Sequence, residues 1–251
     1  MSGRVPASRE TSNNAGSVVI VVPTYNEVEN LPKLVERVFS LGLSDVRMLV
    51  VDDGSPDGTG RLAEELGEEH GGRVEVIHRA GKQGLGTAYV VGFRRALELR
   101  ADFVVEMDAD LSHDPGYLPA FLDELENADV VVGSRYVAGG GSTEEWGALR
   151  KFVSGFGNAG IRTVAGLRVH DATSGFKAFR GDALEGLDLS EFRCSGFGFQ
   201  AEVAHACQRR GYRVVEHPIM FAERASGYSK MSFGIMVEAA WRLLLLRWSR
   251  R

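Results

Sequence analysis

Cysteine, basic charge and long apolar runs are all scarce in this sequence of 251 residues. The two cysteines, Cys194 and Cys207, are too few for a disulfide framework and do not form a CxxC pair, so we expect a reducing, cytoplasmic setting. Lys and Arg number 29 against 34 Asp and Glu, which gives a net charge of −5. A surface that tracks nucleic-acid phosphates is usually basic, and we therefore expect no nucleic-acid partner.

The sequence also lacks the segments that direct a chain into or across a membrane. It contains no run of 18 apolar residues, so no membrane-spanning helix is predicted. Residues 1–16 are polar and lack the apolar core of a signal peptide, and we interpret them as a disordered tail. No repeat or linker divides residues 17–233, which we expect to fold as one domain with a sizeable core.

Short β-branched runs alternate with amphipathic segments in the first half of the chain. Between the first two runs, Leu31, Leu34, Val35 and Val38 recur at helical spacing. The alternation predicts an α/β fold with a mostly parallel sheet flanked by helices, and ligands of such sheets bind beyond the carboxyl ends of the strands. The predicted strands are residues 17–22, 46–51, 74–78, 103–107 and 129–133.

The second half of the chain is less regular. Glycine, at 31 residues overall, is about twice as frequent as in an average protein, which is typical of chains with many tight turns or close backbone contacts with a ligand. The predicted elements are a Gly-rich loop at 138–145, a long helix at 146–166, a loop leading into a strand within 170–181, a helix at about 196–210 and a strand at 213–221.

Acidic residues follow three of the predicted parallel strands. We expect their carboxylates at one edge of the sheet, where they would repel one another unless a divalent cation neutralised them. Asp108 and Asp110 are the candidate ligands, because Mg²⁺ and Mn²⁺ prefer hard oxygen donors. Mg²⁺ usually combines one or two carboxylates with substrate phosphates, which favours a diphosphate-bearing substrate. The acidic residues in question are Glu27, Asp52, Asp53, Asp108 and Asp110.

These segments also admit a purely structural interpretation. DDGSPDGT (52–59) has the composition of a turn followed by a helix that starts at Thr59, although a carboxylate at a strand end can also bind a base edge or a ribose. DAD (108–110) can instead be solvated loop acids that cap the next helix. His113 and Asp114 allow a metal ligand or, as the favoured alternative, helix capping by Asp114.

Six segments, taken in order, resemble a known family. They are VVPTYNEVENL, VVDDGSPDGT, KQGLGTAY, EMDADLSHDP, VVGSRY and RASGYSK, within a match from about Val18 to about Phe233. Together they resemble glycosyltransferase family 2 and, within it, the polyprenyl-phosphate (dolichol-phosphate) mannose synthases. The resemblance implies that residues 17–233 form one GT-A type domain with a nucleotide-binding first half.

The resemblance also implies roles for individual residues. Asp108 and Asp110 match the metal-binding stretch, and Ser112 stands where related enzymes often have Gln, so the third metal ligand is left open. Asp110, Arg135 and Arg224 are the implied catalytic residues, and Arg135, Arg150 and Ser154 are implied to face the acceptor phosphate. The implied donor-binding residues are Pro23, Tyr25, Glu27, Val51, Asp52, Asp53, Asp108, Ala109, Asp110, Arg135, Arg224 and Lys230.

The implied reaction moves mannose from GDP-mannose to polyprenyl phosphate with inversion, gives polyprenyl-phosphate β-mannose, and uses Mg²⁺ or Mn²⁺. The acceptor phosphate is largely dianionic at neutral pH, so we expect no dedicated catalytic base. The alternative donor is UDP-glucose. A nicotinamide-dependent oxidoreductase would need GxGxxG after the first strand, where PTYNEV stands, and a non-catalytic membrane adaptor would leave the acidic residues unexplained.

The C-terminal residues 234–251 bear on localisation. Trp241, Leu244, Leu245 and Trp248 fall near one helical stripe with arginines around it, a pattern typical of an amphipathic helix in a bilayer interface, although the stripe can also be a core-packing face. We expect peripheral attachment at the cytoplasmic face of the membrane, with an integral membrane protein as an additional partner that the sequence leaves open.

Overall fold

The computed structural model of the chain describes residues 16–142, 148–194, 196 and 198–222, and for residues 148–154 it describes the backbone alone. Apart from Gly16, the predicted tail at 1–16 lies outside the described residues. The predicted amphipathic helix at 234–251 lies outside them as well. In the part of the chain that is described, no helix is both long and apolar enough to cross a bilayer.

A seven-stranded sheet forms the centre of the fold and confirms the predicted α/β architecture. Its order is β3-β2-β1-β4-β7-β5-β8, and all neighbouring pairs are parallel except those of β7, which runs antiparallel to both β4 and β5. The strands are β1 (Val18–Thr24), β2 (Val46–Asp52), β3 (Val74–His78), β4 (Phe103–Glu106), β5 (Val130–Ser134), β7 (Lys177–Arg180) and β8 (Val214–Pro218).

The strand predicted at 213–221 is in fact two strands. β8 ends at Pro218, and β9 (Met220–Phe221) pairs instead with β6 (Gly141–Ser142) in a separate two-stranded parallel sheet. Between them the Ile219 N–H donates to the carbonyl of Ser134, so the chain leaves the main sheet just beyond the end of β5.

Helices cover both faces of the sheet, and successive residues of β1 point to opposite faces. Ile20 packs in the cluster that includes α1, and Val21 packs in the cluster that includes α3. α3 approaches β1 closely at Gly92, where an added Cβ would lie 2.2 Å from Val21 Cγ1. The helices are α1 (Leu31–Phe39), α2 (Thr59–Glu69), α3 (Leu85–Glu98), α4 (Leu118–Glu124), α5 (Ala148–Ala165), α6 (Gly181–Glu185) and α7 (Gly198–Arg210).

The antiparallel strand β7 is joined to β4 by a buried ion pair. Lys177 is the register partner of Glu106, and its Nζ lies 2.6 Å from Glu106 Oε1 with the side chains 1% and 0% exposed. Lys177 also donates to the carbonyl of Ser174 and to Gln200 Oε1. Because β7 begins where β4 ends, this pair lies at the carboxyl edge of the parallel strands.

We predict that Lys177→Met lowers the free energy of unfolding by about 3–5 kcal/mol, because Glu106 would remain as an uncompensated buried charge. The measurement is urea unfolding of the single variants and of the double variant K177M/E106L. A coupling energy of roughly 0.5–3 kcal/mol is expected between the two positions. Strictly additive effects would contradict the ion pair. Arg61→Met serves as the control, since the Arg61–Glu65 pair is exposed and its loss should change stability little.

Candidate functional site

The loops that follow β1, β2, β4 and β5 meet at the carboxyl edge of the sheet, together with the loop that precedes β7. This edge therefore holds the acidic residues that the sequence placed there. The structure brings them together in two groups, one in the loops after β1 and β2 and one in the loop after β4. Each group has its own hydrogen-bond partners.

The loops after β1 and β2 are tied to each other by Asp52. Pro23 and Thr24 lie in register with Val51 and Asp52. The buried carboxylate of Asp52 accepts hydrogen bonds from Thr24 Oγ1 at 3.1 Å and from the N–H and hydroxyl of Ser55 at 3.0 and 2.5 Å. The predicted turn interpretation of this segment is thus confirmed for Asp52, whose implied contact with the donor remains a prediction.

The same segment starts helix α2 as predicted. Asp57 accepts hydrogen bonds from the N–H and hydroxyl of Thr59, the first residue of α2. The Thr59 hydroxyl in turn accepts the N–H of Glu27 at 2.9 Å, and the carboxylate of Glu27 accepts from Asn30 Nδ2 at 2.8 Å. The PTYNE loop is therefore held against the DDGSPDG loop before any ligand is considered.

Two cations, neither of which the sequence singled out, lie beside the proposed nucleotide residues. The Arg79 Nη1 atom is 2.7 Å from Asp53 Oδ1, and both side chains are almost fully buried. Burial raises the pKa of Asp53, and the Arg79 guanidinium opposes that rise. The Lys82 ammonium lies 4.5 Å from the ring centroid of Tyr25. Arg79 follows β3, so only the pairing of β3 with β2 brings it to Asp53.

The DAD loop after β4 is held by hydroxyl groups. Tyr89 Oη on α3 donates to Asp108 Oδ1 at 3.0 Å. Asp110, which is buried like Ala109, accepts at Oδ1 from the N–H and hydroxyl of Ser112 at 3.0 and 2.5 Å. Burial, with Asp108 nearby, raises the pKa of Tyr89 well above its usual value, so the hydroxyl keeps its proton and acts as a donor.

The favoured interpretation of the next two residues is confirmed. The carboxylate of Asp114 accepts the Gly116 N–H at 2.9 Å and caps the 3-10 turn Pro115–Tyr117. His113 is buried against Phe176 at a centroid distance of 5.1 Å, and its Nδ1 accepts the N–H of Asp108 at 3.3 Å. Burial lowers the pKa of His113 to about 4, so the ring is neutral at physiological pH.

Arg135, just after β5, is fixed by a partner that the sequence did not reveal. Its Nε and Nη2 donate to the two oxygens of Asp171 at 2.7 and 2.9 Å, and Nη2 also donates to Thr173 Oγ1 at 2.8 Å. Burial disfavours the ionised form of Asp171, but its bonds to Arg135 outweigh this effect and lower the pKa of Asp171. The guanidinium therefore has a fixed plane and direction.

The side chains of the remaining predicted site residues lie outside the described part of the chain. Arg150 and Ser154 fall within α5, for which the side chains at these positions lie outside the described structure. Arg224 and Lys230 lie wholly outside the described residues. The last residue described before them, Ala222, donates its N–H to the carbonyl of Ser112, which joins the end of β9 to the DAD loop.

The carboxylates of the DAD loop suit a divalent cation that is also coordinated by a bound ligand. Among the residues described, no group of three or more His, Cys, Asp or Glu side chains could hold a metal ion by itself. Asp108 and Asp110 offer two carboxylates, and Mg²⁺ commonly uses one or two of these plus substrate phosphates. The loop before β7 lies beside this carboxylate, since a Cβ added at Gly175 would be at an ordinary contact distance of 3.5 Å from Asp108 Oδ2.

The chain is similar to known proteins in both sequence and fold. Residues 19–187 match glycosyl transferase family 2. The chain is 45% identical over 222 residues to undecaprenyl-phosphate mannosyltransferase of Micrococcus luteus, a match that covers 88% of this chain and 90% of the relative. It is 44% identical over 226 residues to polyprenol monophosphomannose synthase of Mycolicibacterium smegmatis, with 90% and 84% covered.

Solved structures with the same fold are more distant in sequence. Glucosyl-3-phosphoglycerate synthase from Mycobacterium tuberculosis, in complex with Mn²⁺, UDP and glucosyl-3-phosphoglycerate, has a TM-score of 0.65 at 21% identity, with 98% of this chain and 86% of that chain covered. A mannosyltransferase from Pyrobaculum calidifontis, in complex with GDP-Man and Mn²⁺, has a TM-score of 0.61 at 18% identity, with 94% and 65% covered. These similarities establish a GT-A fold, and with the sequence matches they show that the chain is a glycosyltransferase and belongs to glycosyltransferase family 2.

Proposed function

We propose that this enzyme transfers mannose from GDP-mannose to polyprenyl phosphate, with inversion, in a reaction that depends on Mg²⁺ or Mn²⁺ and yields polyprenyl-phosphate β-mannose. The observation that carries the proposal is the pair of relatives, 45% and 44% identical over most of the chain, that are named for mannosyl transfer to undecaprenyl phosphate and for polyprenol monophosphomannose synthesis. The acidic carboxyl edge of the sheet is where such folds bind their ligands.

The donor would lie across the loops after β1, β2 and β4. The Pyrobaculum mannosyltransferase in complex with GDP-Man and Mn²⁺ supports GDP-mannose as the donor and a divalent cation as the cofactor. A hydrogen-bonded loop pair, joined through Asp52 and Thr59, would receive the nucleoside. The proposed donor residues in these loops are Pro23, Tyr25, Glu27, Val51, Asp52, Asp53, Asp108, Ala109 and Asp110.

Asp108 and Asp110 would hold the cation beside the donor diphosphate. When bound, a divalent cation acts as a Lewis acid that stabilises the charge developing on the leaving nucleoside diphosphate. The two carboxylates already have fixed orientations, because hydroxyl groups of the protein bond to each of them. Little reorganisation of the protein would then accompany donor binding.

Arg135 would hold the anionic groups of donor and acceptor close together. Its Nε and Nη2 atoms are engaged by Asp171 and Thr173, so the guanidinium keeps one orientation. The acceptor phosphate is largely dianionic at neutral pH and needs alignment rather than deprotonation, which is why no catalytic base is assigned. We place Arg150 and Ser154 at the acceptor phosphate, and Arg224 and Lys230 at the donor.

We further propose that the enzyme works at the cytoplasmic face of the membrane, where a lipid acceptor is available. Amphipathic character in residues 234–251 supports a peripheral attachment. An integral membrane protein that assists this attachment is part of the proposal, and co-purification from membranes is its test.

The proposal predicts the outcome of a transfer assay. Purified protein is given vesicles that contain a polyprenyl phosphate, either Mg²⁺ or Mn²⁺, and labelled GDP-mannose or labelled UDP-glucose. Label should reach the organic phase from GDP-mannose alone, and EDTA should abolish the transfer. Label from UDP-glucose alone would contradict the proposed donor while retaining the family activity. Transfer that persists in EDTA would contradict the metal.

A second prediction concerns the two carboxylates. Asp108→Asn and Asp110→Asn should each lower the transfer rate by roughly 100-fold or more, because the developing negative charge loses its cation. Thermal unfolding should show that both variants remain folded. Asp114→Asn is the matched control in the same loop, since Asn also caps helices and the Asp114 carboxylate caps the 3-10 turn. Equal losses in all three variants would contradict the specific roles of Asp108 and Asp110.

A further inference from the structure

Tyr89 connects the core of the protein to the DAD loop. It belongs to the KQGLGTAY segment and lies in the first turns of α3. The side chain is fully buried, and the ring is parallel to that of Phe199 at 5.8 Å and also contacts Phe93. Only the hydroxyl reaches out of this aromatic cluster, and it donates to Asp108 Oδ1 at 3.0 Å.

Ser112 makes the corresponding contact with the other carboxylate. It is fully buried, and both its hydroxyl and its N–H donate to Asp110 Oδ1. Its own carbonyl accepts the Ala222 N–H, so the residue is fixed from both sides. The short side chain of Ser112 donates to Asp110 Oδ1 at 2.5 Å and so holds the Asp110 carboxylate in place.

The two contacts are of the same kind. Each carboxylate accepts a hydrogen bond from a hydroxyl group at its Oδ1 atom, and the donating residue is itself immobilised by the surrounding core. The terminal torsion of an aspartate is intrinsically broad, so such a bond selects one orientation of the carboxylate plane. Partners of this kind around metal ligands orient the ligand atoms and typically change metal affinity 10- to 100-fold when they are removed.

We propose that Tyr89 and Ser112 are positioning residues of the transfer reaction, which hold the carboxylates of Asp108 and Asp110 in the orientation that receives the divalent cation. This inference rests on the proposed function, because it assumes that these two carboxylates bind the cation. Packing alone would explain the ring of Tyr89 but not its hydroxyl, because a phenylalanine at position 89 would fill the same space in the aromatic cluster.

Mn²⁺ binding to the full-length protein in the presence of GDP tests the proposal. The free Mn²⁺ signal in electron paramagnetic resonance gives the dissociation constant without reference to catalysis. Tyr89→Phe should raise that constant by about 10-fold or more while thermal unfolding changes little. Ser112→Ala should also raise the dissociation constant, but by less, because the backbone N–H of residue 112 still donates to Asp110.

Tyr212→Phe is the matched control for the loss of a tyrosine hydroxyl. Tyr212 lies two residues before the start of β8, and β8 runs parallel to β5, so this residue lies at the opposite edge of the sheet. Its substitution should leave the Mn²⁺ dissociation constant unchanged. A second readout is the transfer rate as a function of Mn²⁺ concentration. Saturating Mn²⁺ should restore Tyr89→Phe to nearly the rate of the wild type, which a general packing defect would not allow.

The outcomes separate this inference from the proposed function. If the wild type binds Mn²⁺ and both Tyr89→Phe and Ser112→Ala bind it equally well, the positioning roles are wrong and the proposed function is unaffected. If the wild type transfers mannose but binds no Mn²⁺ in the presence of GDP, the metal assignment is wrong and this inference is overturned with it. If the wild type binds Mn²⁺ but transfers no mannose, the proposed substrates are wrong and the positioning roles are judged from binding alone.

Discussion

Glu106 on β4 and Lys177 on β7 face each other at the carboxyl edge of the parallel strands, and the rest of the site is arranged around this buried pair. Two opposite charges with almost no exposure are stable only while each has the other, so β4 and β7 have to stay in one register. β7 is the antiparallel strand of the main sheet, and Lys177 is its first residue. The pair consequently fixes the exit of β4 into Asp108 and the entry of the chain into β7.

The site built on this frame is held in place before a ligand binds. In the loops after β1 and β2, Asp52 and Asp57 accept hydrogen bonds from within the two loops, and Asp53 is paired with Arg79. Acids that looked mutually repulsive in the sequence thus have individual partners, and within the described residues Asp108 and Asp110 are the two carboxylates that we propose to hold the divalent cation. The guanidinium of Arg135, which Asp171 holds in one direction, is the cationic group that follows β5 at this edge.

The sequence predicted the sheet better than the contacts at its edge. The run VVIVV in β1 is buried on both faces, and β-branched runs of this kind make strands β1 to β5 recognisable from composition. The turn and helix start at Asp57 and Thr59 were also predictable, because side-chain capping is local. The antiparallel direction of β7 was not, since a strand of four residues that begins with a lysine carries no information on strand direction. Arg79, Tyr89 and Asp171 were missed because their partners are distant in the sequence and meet only through the fold.

The most direct test of the central claim is a crystal structure of the protein with GDP-mannose and Mn²⁺, in which anomalous scattering locates the metal. We predict an anomalous peak within bonding distance of the carboxylates of Asp108 or Asp110 and of the donor diphosphate, with the nucleoside over the loops after β1 and β2. A donor bound at this edge without a metal, or a metal peak away from the DAD loop, would contradict the account.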